Sequence, residues 1–431
     1  MSQAANFSVP LIGPVTPTTM ATRIDDSFEA LQSSHSGNAR PSYAVPGTVW
    51  VSTATAGMLK RYIYDGVNDH LIGVVNIANG ADDDNVVAIN ASIDLAGFAL
   101  QNAAIPNVFR KLDRYSPAFK KTGDGTISIK AGTVVEVYGK LYQFAADMAV
   151  TMPALTAGTD YAIWIKPDGT LVATMDFTSP PVANSRMLGC FHYAPGGNAA
   201  GYNLGGDTTP AINPYSIFDL KYRPACSDWR GMAAIDGAWC CDIYLLNGNH
   251  TVNGTSKYNV SIADGNSPPK IPLSYGGNGT TAYSTLTRYE AAEVLAAYGK
   301  QLPSHAEFAA AAFGTVENTS SGGTDVPTTG VTGTGATSAW NKFTSKWGII
   351  QAAGCMWVCG ADFGGPYAAA AWANDAGGRG QTYNMPNALI LGGSWGLAAN
   401  CGSRASNWVN SPSYSAANVG ARGRCDLLIL D

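Results

Sequence analysis

Apolar residues recur along this chain with two different periods. Near the N-terminus Ile24, Phe28 and Leu31 fall at i, i+4 and i+7, with Asp25, Asp26 and Glu29 off that stripe, so the spacing predicts an amphipathic helix over Thr18–Ser34. The turn-forming run Ser36–Pro41 ends it. So short a helix is marginal alone and calls for cover from symmetry mates or a larger particle. The period then drops to two in Pro46–Thr53, Leu59–Gly66 and His70–Val75, with Asp65-Gly66 as a turn signal, which predicts three short strands. The acidic run Gly80–Asn85 lacks the Gly and Glu of a calcium loop at the right distance and reads as a solvated loop.

From about Asn90 to Tyr222 the alternation continues. Val134–Phe144 predicts a hairpin turned at Tyr138-Gly139, and Tyr161–Ile165 returns through Lys166–Thr170 into Leu171–Ala173. Regular strand spacing of this kind predicts a sandwich. Beyond Pro224 the texture changes. Thr287-x-x-Glu290 and Ser304-x-x-Glu307 are capping boxes, opening helices over Tyr289–Tyr298, stopped at Gly299, and Ala306–Phe313, stopped at Gly314. Thr315–Thr337 is a Ser/Thr/Gly tract with the composition of a linker. In the last forty residues Gly, Trp and Arg alternate with short runs of chemically unrelated side chains, the pattern of a rigid backbone under an adaptable surface.

Composition narrows the function classes. A chain of 431 residues exceeds one core, and about three domains is the expectation from length. Only 13% of residues are charged and 49 are Gly, which suits turn-rich β structure and surfaces hidden in an oligomer. A net charge of −5 without a basic stripe argues against nucleic acid as a partner. No apolar run approaches a membrane span, and Met1–Asn6 lacks a secretory signal, so synthesis in the cytoplasm is expected. Cys240-Cys241 and Cys355-x3-Cys359 have no second Cys/His pair at zinc-like distance, so the eight cysteines read as small buried hydrophobes, with no metal and no cofactor. Trp340, Trp395 and Trp408 are expected to fill a core poor in regular structure, and Arg404 and Arg422 to tie loops to backbone carbonyls, with anion binding as their alternative.

Long runs carry a resemblance: Ser128–Thr133, Met152–Ile163, Phe191–Gly196, Gly322–Gly330 and Gly392–Asp431. From about Thr122 to Asp431 the chain resembles the major tropism determinant family, phage receptor-binding proteins diversified by a reverse-transcriptase retroelement. The N-terminal strands are similar to the β-prism modules of phage tail fibres, an ordinary three-stranded sheet being the alternative. Leu302–Phe308, Gly392–Trp395 and Gly420–Gly423 resemble the C-type lectin fold in the version shared with formylglycine-generating enzymes. The fold class implied is mainly β with an α+β C-terminal domain. Its parts would be an N-terminal helical virion-attachment segment (1–40), a trimeric β-prism (41–95), a β-sandwich (96–222) and a lectin-like receptor-binding domain (223–431) with its variable region at 392–431. The resemblance also implies that Thr315–Thr337 is an ordered excursion.

By the same resemblance the diversified, receptor-binding set is Ser394, Gly396, Leu397, Ala398, Asn400, Asn407, Val409, Tyr414, Ala416, Asn418, Val419 and Arg424, on the scaffold of Trp395, Arg404, Trp408 and Arg422. Tyr414 and then Arg424 are the expected anchors. The implied partners are a bacterial surface receptor (protein or glycan), two further copies of the chain in a homotrimer, and other tail-fibre proteins, with location on the virion and no membrane insertion. An enzyme is the alternative class. The reactive cysteines of formylglycine-generating enzymes would fall at Leu397 and Gly402, with Cys401 one residue from the second, so that oxidase chemistry is not expected; a glycan depolymerase would need paired carboxylates in a groove. The Glu-Pro-Asn tripeptide of calcium-dependent sugar binding is also missing.

Overall fold

The computed structural model describes residues 3–4, 7–76, 107–365, 372–374, 381–383 and 386–431. The acidic run Gly80–Asn85 and the segment from Asn90 to 106 lie outside them. The chain divides into two compact units, Met1–Ala103 and Ala104–Asp431.

In the first unit helix α1 spans Pro17–Gln32, with Thr16 capping it through its side chain and Pro17 in the first turn. The expected stripe is present but uncovered by the unit itself: Ile24, Phe28 and Leu31 are 39%, 60% and 53% exposed, and Ala30 alone in the helix is buried. Strands β1 (Val49–Ser52), β2 (Met58–Tyr64) and β3 (Asp69–Asn76) form an antiparallel meander. Trp50 is buried, stacks on Tyr62 at 5.1 Å between ring centroids, and donates its indole N–H to Asp69 at 3.0 Å. The Asp65-Gly66 signal produces a four-residue turn, because the Asp65 carboxylate accepts the N–H groups of Val67 and Asn68, each at 2.7 Å.

The second unit begins with three sheets around one apolar core. Thr159–Ile165 pairs antiparallel with Leu171–Thr174 and Arg186–Ala194, while Phe109–Arg110, Val134–Val137 and Lys140–Gln143 make a second sheet and Phe119–Gly123, Thr126–Ile129 and Met148–Ala149 a third. Alternate residues of each point inward, so Phe119, Ile127, Ile129, Val135, Tyr161 and Ile163 share a core. Tyr138 turns its hairpin with φ +51 and Gly139 with φ +77, the left-handed pair that a two-residue hairpin needs.

The remaining chain folds into two four-stranded sheets, a two-stranded ladder of Trp372–Asn374 with Gln381–Tyr383, and a few short helices. The C-terminal strand Arg424–Ile429 lies between Tyr222–Pro224 and Trp239–Asp242, with Met232–Ile235 outermost, so the end of the chain returns to the start of this region. The other sheet runs Ser406–Asn410, Asn387–Leu391, Trp357–Gly364, Val419–Gly420. Helix α2 is the short turn His250–Asn253; α3 (Arg288–Ala296) and α4 (His305–Ala311) both start in complete capping boxes. Gly299, at φ +74, stops α3 by placing the Lys300 N–H on the Leu295 carbonyl at 2.9 Å. The tract after α4 is ordered: Ser321, Val326 and Thr329 are buried, and the Gln351 amide bonds Thr328, Gly330 and Val331. All eight cysteines are buried and unpaired. No helix among the described residues is long and apolar enough to cross a membrane.

Arg422 is buried and spans these layers. Its guanidinium donates to the carbonyls of Asp242 (2.8 Å), Ile243 (2.6 Å), Ile350 (2.8 Å) and Gln351 (3.1 Å). Arg422→Met keeps the apolar volume and removes hydrogen bonds from four buried carbonyls, of which Ile243 retains the Ile350 N–H at 3.0 Å; each carbonyl left without a donor costs about 1–3 kcal/mol. A loss of about 4 kcal/mol or more is expected, read as a lowered urea midpoint; an unchanged midpoint would remove Arg422 from the structural account.

Candidate functional site

The C-terminal loops are built on close backbone approach. Gly392 and Gly393 have φ of +89 and +84, and a Cβ on them would meet the Phe308 ring at 2.7 Å and the Cys401 sulfur at 2.4 Å. The chain then dips inward at Ser394, passes the half-buried Trp395, and emerges as a loop in which Gly396, Ala398 and Asn400 are exposed and Leu397 is half-buried. Supports reach the loop from the tract after α4. The Ser320 hydroxyl donates to the Trp395 carbonyl at 2.7 Å and accepts the Ala398 N–H at 3.3 Å. The Glu317 carboxylate accepts the Ser403 N–H (2.9 Å) and hydroxyl (2.6 Å). Glu317 and Ser320 are the functional supports that sequence reading missed, since nothing local marks a residue whose partner lies some eighty positions away.

The structure sorts the expected receptor-binding set by exposure. Val409, on the strand Ser406–Asn410, is 67% exposed, and Tyr414, in the turn after it, 39%. Asn407, Ala416 and Asn418 are half-buried, and the Asn407 amide oxygen accepts the Val409 N–H at 3.0 Å. Leu397 and Ala416 pack against one apolar cluster, and Asn418 donates to the Ser394 hydroxyl at 3.2 Å, so these two segments meet. Three residues depart from the expected surface role. Ser394 (2% exposed) and Val419 (1%) are buried, the first by the Gly392-Gly393 dip and the second by pairing with Trp357. Arg424 is held by Glu307 and, at 2.7 Å, by Asp426, with its guanidinium over the Trp239 ring. Burial raises the Glu307 carboxyl, but its bonds to Arg424 and Ser304 outweigh this and leave its pKa below the ordinary value.

The scaffold residues also divide. Arg422 ties loops as expected, and Trp340, Trp395 and Trp408 are half-buried against the main core instead of filling it. Arg404 is exposed: its carbonyl accepts from His305 at 3.3 Å, and among the described residues its guanidinium meets no hydrogen-bond partner. Cys401 is buried beneath the loop, donates to the Ser394 carbonyl at 3.3 Å, and has its thiol pushed up to about 11 by burial. A thiol so placed stays protonated at neutral pH and is a poor nucleophile. Among the described residues no three His, Cys, Asp or Glu side chains are grouped to hold a metal ion.

These loops can be set beside known proteins. Residues 117–219 match the family described as Mtd second domain. The chain is 54% identical over 353 residues, 81% of its length and 92% of the relative's, to the tail fiber receptor-binding protein of Bordetella phage BPP-1. The chain belongs to the major tropism determinant family. Among solved structures it is similar to the Major Tropism Determinant M1 variant (48% identity, 92% of this chain and 99% of that one, TM-score 0.75) and the U1 variant (49%, 90% and 96%, TM-score 0.74). As in the major tropism determinant fold, the chain is mainly β with an α+β, C-type lectin-like C-terminal region.

Exposure sets the expected outcome of two substitutions. Tyr414→Ala should change the melting temperature little, corresponding to within about 0.5 kcal/mol. Trp395→Ala empties a half-buried site against the core and should cost about 2 kcal/mol, below the range for a fully buried ring. Equal losses would place Tyr414 in the core. Cys401→Ser should alter stability by about 1 kcal/mol, since the hydroxyl can keep the bond to the Ser394 carbonyl, and should leave receptor binding intact, measured on purified protein with whole host cells; abolished binding by a fully folded Cys401→Ser protein would give the thiol a direct role.

Proposed function

We propose that this chain is the receptor-binding protein at the tip of a phage tail fibre, and that it recognises a bacterial surface receptor, protein or glycan, through the exposed positions of its C-terminal loops. The observation that carries this reading is the contrast within the loop 394–403: Gly396, Ala398 and Asn400 face solvent, while the backbone beneath them is bonded to Ser320, Cys355 and Gly392. Side chains can change at such positions without refolding, as a diversified surface requires. The names of the relatives support the same role. Contact with the receptor then falls to Gly396, Ala398, Asn400, Val409 and Tyr414, flanked by the half-buried Leu397, Asn407, Ala416 and Asn418. Ser394, Val419 and Arg424 act from beneath by setting the loop's shape.

The proposal extends to assembly. Ile24, Phe28 and Leu31 leave an apolar stripe on α1 open, and Leu11 and Ile12 are 93% and 87% exposed, surface of the kind that association covers. A homotrimer buries that surface and multiplies shallow sites by avidity, while residues 1–40 join other fibre proteins on the virion. The division at 41–95, 96–222 and 223–431 belongs to this reading. No observation favours an enzyme: Leu397 and Gly402 stand where the oxidase cysteines would be, and Cys401 is sealed.

Purified chain added before phage should block adsorption to the host. A combined Asn400→Ala, Val409→Ala and Tyr414→Ala protein should lose the block while keeping its melting temperature, and light scattering should give three times the chain mass. Undiminished blocking by the folded triple variant would overturn the site, and a monomer at micromolar concentration would overturn the trimer.

A further inference from the structure

The sheet of Ser406–Asn410, Asn387–Leu391, Trp357–Gly364 and Val419–Gly420 has two differently covered faces. Val358 and Leu391 lie with Phe308 of α4 in the main core, whereas Cys359 and Ile390 lie in a second cluster, against which Leu397 and Ala416 pack. Successive residues of a strand alternate between faces, and paired residues share one. Ala388 is therefore on the face of Ile390. Phe363 pairs with Ala388 and Ala388 with Asn410, while Ile390 pairs with Asn407. Phe363 thus stands on the face that carries Asn407 and meets Leu397 and Ala416, in one row with Ala388 and Asn410.

Both the backbone and the ring of Phe363 are fixed. The register of Trp357–Gly364 against Asn387–Leu391 shifts between Cys359 and Phe363, a bulge of the kind that re-aims a side chain. Arg288, the first residue of α3, fastens the bulge: its Nε donates to the Gly360 carbonyl at 2.9 Å and its Nη2 to the Ala361 carbonyl at 2.5 Å. The Asp362 carboxylate accepts the His305 N–H at 2.7 Å, which ties the same bulge to the start of α4. The Arg288 guanidinium then lies over the Phe363 ring, 3.9 Å from its centroid, and the residue stays 38% exposed. A solvent-facing ring that is already immobile loses little entropy on binding, and the centres of interfaces are enriched in aromatic residues. We infer that Phe363 is a fixed apolar contact for the receptor, outside the positions that vary and common to every variant of the loops. This inference rests on the receptor-binding reading of the C-terminal surface. It divides the labour there: the ring contributes constant affinity, and the loop positions contribute the choice of target.

Blocking of phage adsorption by the purified full chain and its variants tests this, with folding checked by thermal melting. Phe363→Ala should raise the concentration needed for half-block about tenfold or more while the melt stays cooperative. Phe363→Tyr, which keeps the ring, should block as the parent does. A Phe363→Cys thiol gives a second measurement. It should react with a maleimide on the free chain, where the eight native thiols are buried, and be protected once the chain is bound to host cells. Undiminished blocking by the folded Phe363→Ala protein would overturn the inference, as would a Phe363→Cys thiol labelled equally in the free and bound states. So would a thiol closed on the free chain, since another copy or segment would then cover the ring. A parent chain that blocks nothing would instead remove the reading on which the inference rests.

Discussion

Arg422 reaches four backbone carbonyls, at Asp242, Ile243, Ile350 and Gln351, from a side chain that is 1% exposed, and the organisation of the lectin-like region follows from that contact. Segments 242–243 and 350–351 belong to no common sheet; one backbone bond, from the Ile350 N–H to the Ile243 carbonyl at 3.0 Å, joins them, and the guanidinium adds four more contacts. A planar fork with five donors can serve two directions at once, which a lysine ammonium cannot match. The next residue is glycine for a related reason: a Cβ on Gly423 would lie 2.6 Å from the Asp242 carboxylate, which the buried Lys300 ammonium in turn neutralises at 2.6 Å. Two cations and one carboxylate are thereby kept out of water with nearly every donor and acceptor used, the condition under which buried charge holds a unique geometry.

That lock explains how irregular loops can be both rigid and permissive. Regular structure is sparse between 392 and 423, so the backbone is held by single bonds from distant residues: Ser320 and Cys355 on Trp395, Glu317 on Ser403, Gly392 on the Gly402 N–H. Each uses main chain or a half-buried side chain. None uses the exposed side chains of Asn400, Val409 or Tyr414, which leaves those positions free of structural duty.

Local signals were legible in the chain, and long-range ones were not. The capping boxes at Thr287 and Ser304 and the Tyr138-Gly139 turn depend on neighbours within four residues, and the structure places them where their chemistry asks. Ser394, Val419, Arg404 and Arg424 show the limit. Along an irregular segment burial has no period, so a serine after two glycines and an arginine near the terminus look like surface. Only the fold reveals that Ser394 lies under the loop and that Glu307, already capping α4, also binds Arg424. The same limit hid Glu317 and Ser320, which sit in a tract whose composition resembles a linker. Resemblance to a family supplied the architecture here, and it transferred the list of positions without their burial.

A locked backbone between 392 and 423 thus carries side chains without structural duty. Melting temperatures across a library randomised together at Gly396, Ala398, Asn400, Val409 and Tyr414 test it most directly. Most members should melt within a few degrees of the parent, since surface changes cost within about 0.5 kcal/mol each. A library in which most members fail to fold, or melt over a broad range, would show that these side chains hold the loops in place and would contradict it.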